Sequence, residues 1–228
     1  MDERGDSGQE KCVEHMKLQK RIVESQIGEK ENTCENKSEV PQLKLLGKPR
    51  PNKKLLVLDI DRTIYDCATP PRLCYRKRPH LNRLLEEAFK HYDIGLWSAT
   101  DMKSIEAKIK VMHLDDNSKY NFLFYMDESF MEEVMMDFEI IMTKPLSKIW
   151  NVLHEYGPTN TIICDDNPDN FIKNPRNGIL VSPYNISNFW IDNELLYLQN
   201  YLEYLSGVQD VREIDHENWK EIEKNLRK

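Results

Sequence analysis

Two aspartates two residues apart, Asp59 and Asp61, stand directly behind the apolar run Leu55-Leu56-Val57-Leu58. A second acidic pair, Asp165-Asp166, follows the strand-like run Thr161-Ile162-Ile163-Cys164, with Ser98 and Lys144 between the two pairs in the chain. Polar residues just past a buried strand lie at the carboxyl edge of an open α/β sheet, where ligands bind. If extended geometry persists one step beyond Leu58, the Asp59 and Asp61 carboxylates point the same way. At about 4 Å and an effective dielectric near 20, two such charges repel by about 4 kcal/mol. Asp59, Asp61, Asp165 and Asp166 together therefore ask for a cation. A hard divalent ion with oxygen ligands, magnesium before others, meets that need.

Phosphoryl transfer accounts for the remaining groups. Hydrolysis of a phosphate monoester is among the slowest uncatalysed reactions, so a site must both neutralise charge and supply a nucleophile. Asp59 is placed to attack phosphorus and form an aspartyl-phosphate. Asp61 can protonate the leaving oxygen and then take a proton from the hydrolytic water. Ser98 would hydrogen-bond a phosphate oxygen, with Thr100 as its rival. Lys144 would hold charge on the nucleophile and on the transferring group, and Asp166, with Asp165 beside it, would complete the metal shell. A lone Asp-x-Asp is ordinarily a loop feature; the order Asp59, Ser98, Lys144, Asp166 is what favours chemistry. Thr63 is expected to orient the loop. Arg72, Arg76, Lys77 and Arg78 form a basic run that reads either as a solvated charge run or as a patch attracting phosphorylated peptide.

These residues need a scaffold, and the chain alternates between two periodicities. Strand-like runs at Leu55–Leu58, Asp93–Ala99, Asn121–Met126, Thr161–Cys164 and Gly178–Val181 alternate with helical spacings. The helical spacings are Leu81/Leu84/Leu85/Ala88, Ile105/Ile109/Met112, Leu146/Ile149/Trp150/Leu153 and Leu195/Leu198/Leu202/Leu205. Such alternation predicts an α/β fold, a doubly wound and mostly parallel sheet covered on both faces. Residues 1–42 are polar and charge-mixed and are expected to be disordered or loosely structured, with one folded domain over 43–228. Five widely spread cysteines (Cys12, Cys34, Cys67, Cys74, Cys164) show no zinc spacing and read as free thiols. A net charge of −7 argues against direct nucleic-acid binding. No stretch has the length of a membrane helix or the apolar core of a signal peptide, so no membrane association is expected.

Asp59-x-Asp61-x-Thr63, Leu96-Trp97-Ser98-Ala99-Thr100, Lys144-Pro145-Leu146 and Asp165-Asp166 resemble the four ordered motifs of the haloacid dehalogenase superfamily. Lys53–Asp59, Arg78-Pro79-His80-Leu81, Trp97–Lys103, Ile105–Lys108, Asn170-Phe171 and Asn174–Gly178 narrow the likeness to the phosphatases of the RNA polymerase II C-terminal domain (CTD). Within them it is nearest the branch that carries a ubiquitin-like domain. The likeness spans roughly residues 45–225.

The resemblance implies a haloacid dehalogenase-like Rossmannoid fold with a small insertion, over residues 112–143, and no large cap domain. It implies a magnesium-dependent serine/threonine protein phosphatase acting on phosphorylated protein segments, such as the CTD or proteasome subunits. Asp59 would be nucleophile and Asp61 acid/base. Magnesium would be held by the Asp59 side chain, the Asp61 backbone carbonyl and Asp166. Nuclear residence and a proteasome partner come with the family, beside a cytoplasmic location that the composition equally allows, although residues 1–42 are too short and polar for a ubiquitin-like domain; a monomer is expected. Two rivals stand beside this reading, a small-molecule phosphatase of the same superfamily and a non-catalytic phosphopeptide-binding module. A response-regulator receiver is excluded, because there the lysine follows the last acidic motif.

Overall fold

Strand β1 (Lys54–Leu58) is buried on both faces, and its side chains divide by parity as a strand's must. Leu56 and Leu58 join one hydrophobic cluster; Leu55 and Val57 join another on the opposite face. Residues 41–69 and 76–227 are described in the computed structural model, and the statements below concern those residues. The expectation for residues 1–42 therefore lies almost wholly outside them, as do Cys12, Cys34, Cys74 and Arg72. Cys67 and Cys164 are free thiols.

Around β1 assemble β2 (Tyr92–Trp97), β3 (Phe122–Met126), β6 (Thr161–Asp165) and β7 (Gly178–Leu180). The order is β3-β2-β1-β6-β7, and every neighbouring pair is parallel. The predicted α/β, parallel architecture is what the chain adopts. One face is covered by α1 (Leu81–Ala88), α2 (Met102–Met112), α4 (Glu194–Ser206) and α5 (Trp219–Leu226), whose stripes enter the larger cluster. The predicted stripe Leu195/Leu198/Leu202/Leu205 is buried core.

The other face has thinner cover. Its only described α-helix, α3 (Ser147–Trp150), is a single turn, shorter than the helix expected from Leu146 to Leu153. After Trp150 the chain tightens into turns, with Val152 N–H and Leu153 N–H both donating to the Ile149 carbonyl. Leu153 still reaches the core, so the spacing marked burial and not helix length.

The segment between the second and third motifs contains a hairpin, β4 (Glu132–Met136) and β5 (Glu139–Thr143), paired antiparallel from Glu132↔Thr143 to Met136↔Glu139. Its two turn residues, Asp137 and Phe138, both have positive φ, 47° and 69°, as a two-residue hairpin turn matching strand twist requires. Met135, Phe138, Ile140 and Met142 are exposed. The hairpin ends at buried Thr143, one residue before Lys144. Among the described residues no helix is long and apolar enough to cross a membrane.

Candidate active site

The carboxyl ends of β1, β2 and β6 lie side by side, and the polar residues that follow them meet there. Asp59 continues the ladder by one step, its N–H donating to the Cys164 carbonyl at 3.0 Å, and is 5% exposed. The chain then leaves extended geometry: Ile64 and Tyr65 N–H both return to the Ile60 carbonyl, and Arg62 has φ 62°. This tight turn separates the two carboxylates that continued extension would have aligned. Asp59 turns toward Lys144, and Asp61 toward Ser98 and Lys108.

Lys144 is fully buried. Its ammonium donates to Asp59 Oδ1 at 2.6 Å, Asp165 Oδ2 at 2.7 Å and the Trp97 carbonyl at 2.8 Å. An ammonium has three hydrogens, and all three are committed. Lys144 therefore stands as a counter-ion to the nucleophile candidate, with no donor left over for the direct phosphate contact expected of it. Burial alone would lower its pKa, but Asp59 and Asp165 outweigh burial and hold it up.

Asp165 is equally committed. Besides Lys144, its Oδ2 accepts from Asn170 Nδ2 at 2.8 Å, and its Oδ1 accepts from the Asn167 N–H at 2.9 Å. Asp166 is held loosely, with Thr63 Oγ1 and Arg62 Nε each 3.5 Å away. One oxygen each of Asp59, Asp165 and Asp166 lies within 4.8 Å of the other two. Burial and the charge of Asp165 push Asp59 up to about 7 against the pull of Lys144. Burial, then Asp165, raises Asp166 as well.

The donor set suits a hard divalent ion. Four carboxylates (Asp59, Asp61, Asp165, Asp166) face two largely buried ammonium groups, Lys144 and Lys108, and the more exposed Arg62 guanidinium beside Asp166, which leaves an excess of one negative charge. All candidate ligands are oxygens, the preference of magnesium. Asp59 and Asp166 have oxygens to offer, whereas Asp165 has spent its own on Lys144, Asn167 and Asn170. The Asp61 carboxylate lies outside the three-residue cluster.

Ser98, fully buried at the end of β2, donates to Asp61 Oδ2 at 2.8 Å and shares a 2.9 Å hydrogen bond with Thr100 Oγ1. The two rivals for phosphate contact are thus parts of one network. Thr63 holds the loop chiefly through its carbonyl, which accepts from Arg78 at 2.9 Å.

Arg78 fits neither reading of the basic run. It is 1% exposed, pairs with both oxygens of Asp192 at 3.0 and 2.9 Å, and also donates to the Ser182 carbonyl. It locks the loop from inside. Arg76 donates to Tyr65 Oη, and Lys77 to the Met112 carbonyl and Asn82.

Sequence reasoning gave no role to Lys108, Asn167 or Asn170. Lys108 carried a signal: it lies three residues after Ile105 and four before Met112, on the apolar stripe of α2, where a lysine needs a partner. Asn170 carried only its place in a stretch shared with the family and Asn167 carried none, because their value comes from the turn that folds them back onto Asp165.

Residues 54–212 match the family model described as NIF: NLI interacting factor-like phosphatase. Ubiquitin-like domain-containing CTD phosphatase 1 of Xenopus tropicalis is 37% identical over 210 residues, covering 86% of this chain and 65% of the relative. The protein of that name from Drosophila melanogaster is 34% identical over 223 residues, covering 96% of this chain and 65% of the relative. The chain thus spans somewhat less than two thirds of the length of these relatives. The solved structure of Fcp1, an essential RNA polymerase II CTD phosphatase, overlays with a TM-score of 0.44 at 13% identity, covering 77% of this chain and 62% of that one.

Proposed function

We propose, since this chain belongs to the NLI interacting factor-like phosphatase family, that it removes phosphate from phosphorylated serine or threonine in protein segments, through an aspartyl-phosphate on Asp59. One observation carries the reading: Asp59 has one oxygen gripped by a fully buried lysine at 2.6 Å and stands in a cluster of three carboxylates. A structural aspartate would not need both. The relatives are named CTD phosphatases, and with the motif resemblance to the RNA polymerase II CTD phosphatases this favours that CTD as the substrate class, with nuclear residence going with that assignment.

The chemistry follows from the committed hydrogen bonds. Lys144 fixes Oδ1 of Asp59, and among the described residues Oδ2 has no hydrogen-bond partner and is free to attack phosphorus. The phosphorus–ester oxygen bond breaks as the new one forms, and Asp61 delivers its proton to the departing serine or threonine oxygen. Asp61 then takes a proton from water, which attacks the aspartyl-phosphate to release inorganic phosphate and restore Asp59. Ser98 orients Asp61 throughout, gripping Oδ2 and leaving Oδ1 without a hydrogen bond. Asp59 and Asp166 would hold magnesium, which when bound neutralises charge on the phosphoryl oxygens.

The test is release of inorganic phosphate from a phosphoserine heptad-repeat peptide with magnesium. The wild-type chain should turn over, and Asp59→Asn should lose at least about a thousandfold in kcat. A wild-type chain that binds the phosphopeptide without hydrolysing it would instead be a recognition module.

A further inference from the structure

We propose that Lys108 is a positioning residue that keeps the Asp61 carboxylate off the metal ion, an inference that rests on the phosphatase reading for the duties of Asp61.

Asp61 is two residues from Asp59, yet only Asp59, Asp165 and Asp166 draw together. The turn at Arg62 lets Asp61 diverge from Asp59, and the group that holds its carboxylate there comes from a different element. Lys108 on α2 reaches Asp61 Oδ2 at 2.5 Å and Thr100 Oγ1 at 3.0 Å, while Ser98 donates to the same Oδ2 at 2.8 Å. The ion pair is largely shielded, with side-chain exposures of 14% for Lys108 and 22% for Asp61. A neutral hydroxyl is a weak tether for a carboxylate beside a divalent cation, whereas a charge-assisted contact is a strong one.

The two lysines thus take up three of the four carboxylates. Lys144 occupies Asp165 and one oxygen of Asp59; Lys108 occupies Asp61. What remains for a cation is Asp59 and Asp166. A carboxylate bound to a divalent ion is a poor proton carrier, because the ion competes with the proton for its lone pairs. If Lys108 were absent, Asp61 would be drawn inward as an extra ligand. The ion would then bind more tightly, and turnover would fall for want of an acid and base.

The experiment is calorimetric titration of magnesium chloride into the purified full chain, for wild type, Lys108→Met, Asp61→Ala and the double variant. Lys108→Met should bind magnesium roughly tenfold more tightly, since added ligand charge strengthens such sites, while its kcat falls. In the Asp61→Ala background the same Lys108 change should leave affinity within about twofold, because the coupling runs through Asp61. Lys108→Arg, which keeps the charge, should track the wild type.

Tightening of equal size in both backgrounds would show that only the loss of a nearby positive charge matters, and would overturn the proposal. Unchanged or weaker magnesium binding by Lys108→Met would overturn it too. Thermal melting of each variant establishes that it is folded, and Lys108→Gln serves if the methionine variant is not. A wild-type chain that binds magnesium but hydrolyses no phosphopeptide would refute the phosphatase reading and leave the coupling measurement intact.

Discussion

Removing the Lys144 ammonium by Lys144→Met should be the most damaging single substitution at the site, and the structure sets its size. With the lysine gone, Asp59 and Asp165, which have an oxygen each within 4.8 Å of the other, face one another without the cation they share. Two full charges at that distance and an effective dielectric near 20 repel by about 3–4 kcal/mol. The Asn167, Asn170 and backbone contacts to these residues remain, so no new cavity of note adds to the cost. Removing one partner of a buried pair generally costs about 3–5 kcal/mol, which agrees. For a domain of this size that corresponds to a loss in Tm on the order of 10 °C.

The penalty should also depend on conditions. Asp59 is already pushed up to about 7 by burial and Asp165, so in the variant the pair can relieve its repulsion by taking a proton. The gap between wild type and variant should therefore be larger at pH 8 than at pH 5.5. It should shrink when magnesium is added, because the ion supplies the missing charge. Urea denaturation with and without magnesium at the two pH values measures all of this. A variant as stable as wild type at pH 8 without magnesium would refute the charge accounting.

Three further outcomes follow from elements away from the carboxylates. Arg78→Met should lower stability by about 3 kcal/mol by removing a buried guanidinium from the partly buried Asp192 carboxylate; a urea midpoint near that of wild type would contradict this, and Arg78→Lys should rescue little because it lacks the two-pronged fork. His216 is 5% exposed, its Nδ1 is 2.8 Å from Tyr201 Oη, and burial lowers its pKa below 6.5. Its contribution is present above pH 6.5 and lost as the pH falls through the depressed folded value, so His216→Gln should flatten the acid limb of a stability–pH curve; parallel limbs would contradict the assignment. At Gly95→Ala the new Cβ would stand 2.3 Å from the Phe124 ring, costing about 1–3 kcal/mol; Phe124→Leu in the same chain should restore part of it, and additive losses would point elsewhere.

How far the sequence reached depended on whether a residue's position followed from its own strand. Asp59, Ser98 and Asp165 each end or follow a buried parallel strand, so a continuous apolar run was enough to place them at one edge. Lys144 was placed by its order in the chain, but its depth was not legible, since nothing local distinguishes a lysine before Pro145 from a surface one. Asp61 was misdirected because its orientation depends on the left-handed turn at Arg62, a residue without the glycine that usually announces such a turn. Arg78 looked like part of a basic run, because its partner Asp192 is 114 residues away. The short α3 escaped notice because apolar spacing reports which side chains are buried, and a tightened turn buries Leu153 as well as a helix would.

The strand order has a consequence for how this chain is made. β1 occupies the middle of the sheet but emerges first among the described strands, and its partner β6 follows about a hundred residues later. During synthesis β1 can pair with β2 early, while its other edge waits for β6, an apolar ribbon with open hydrogen-bonding groups of the kind that invites wrong partners. Translation pauses or truncations between Lys144 and Asp165 would release chains that hold the nucleophile and its lysine yet keep that edge bare. Such fragments should be cleared or aggregate before they could accumulate.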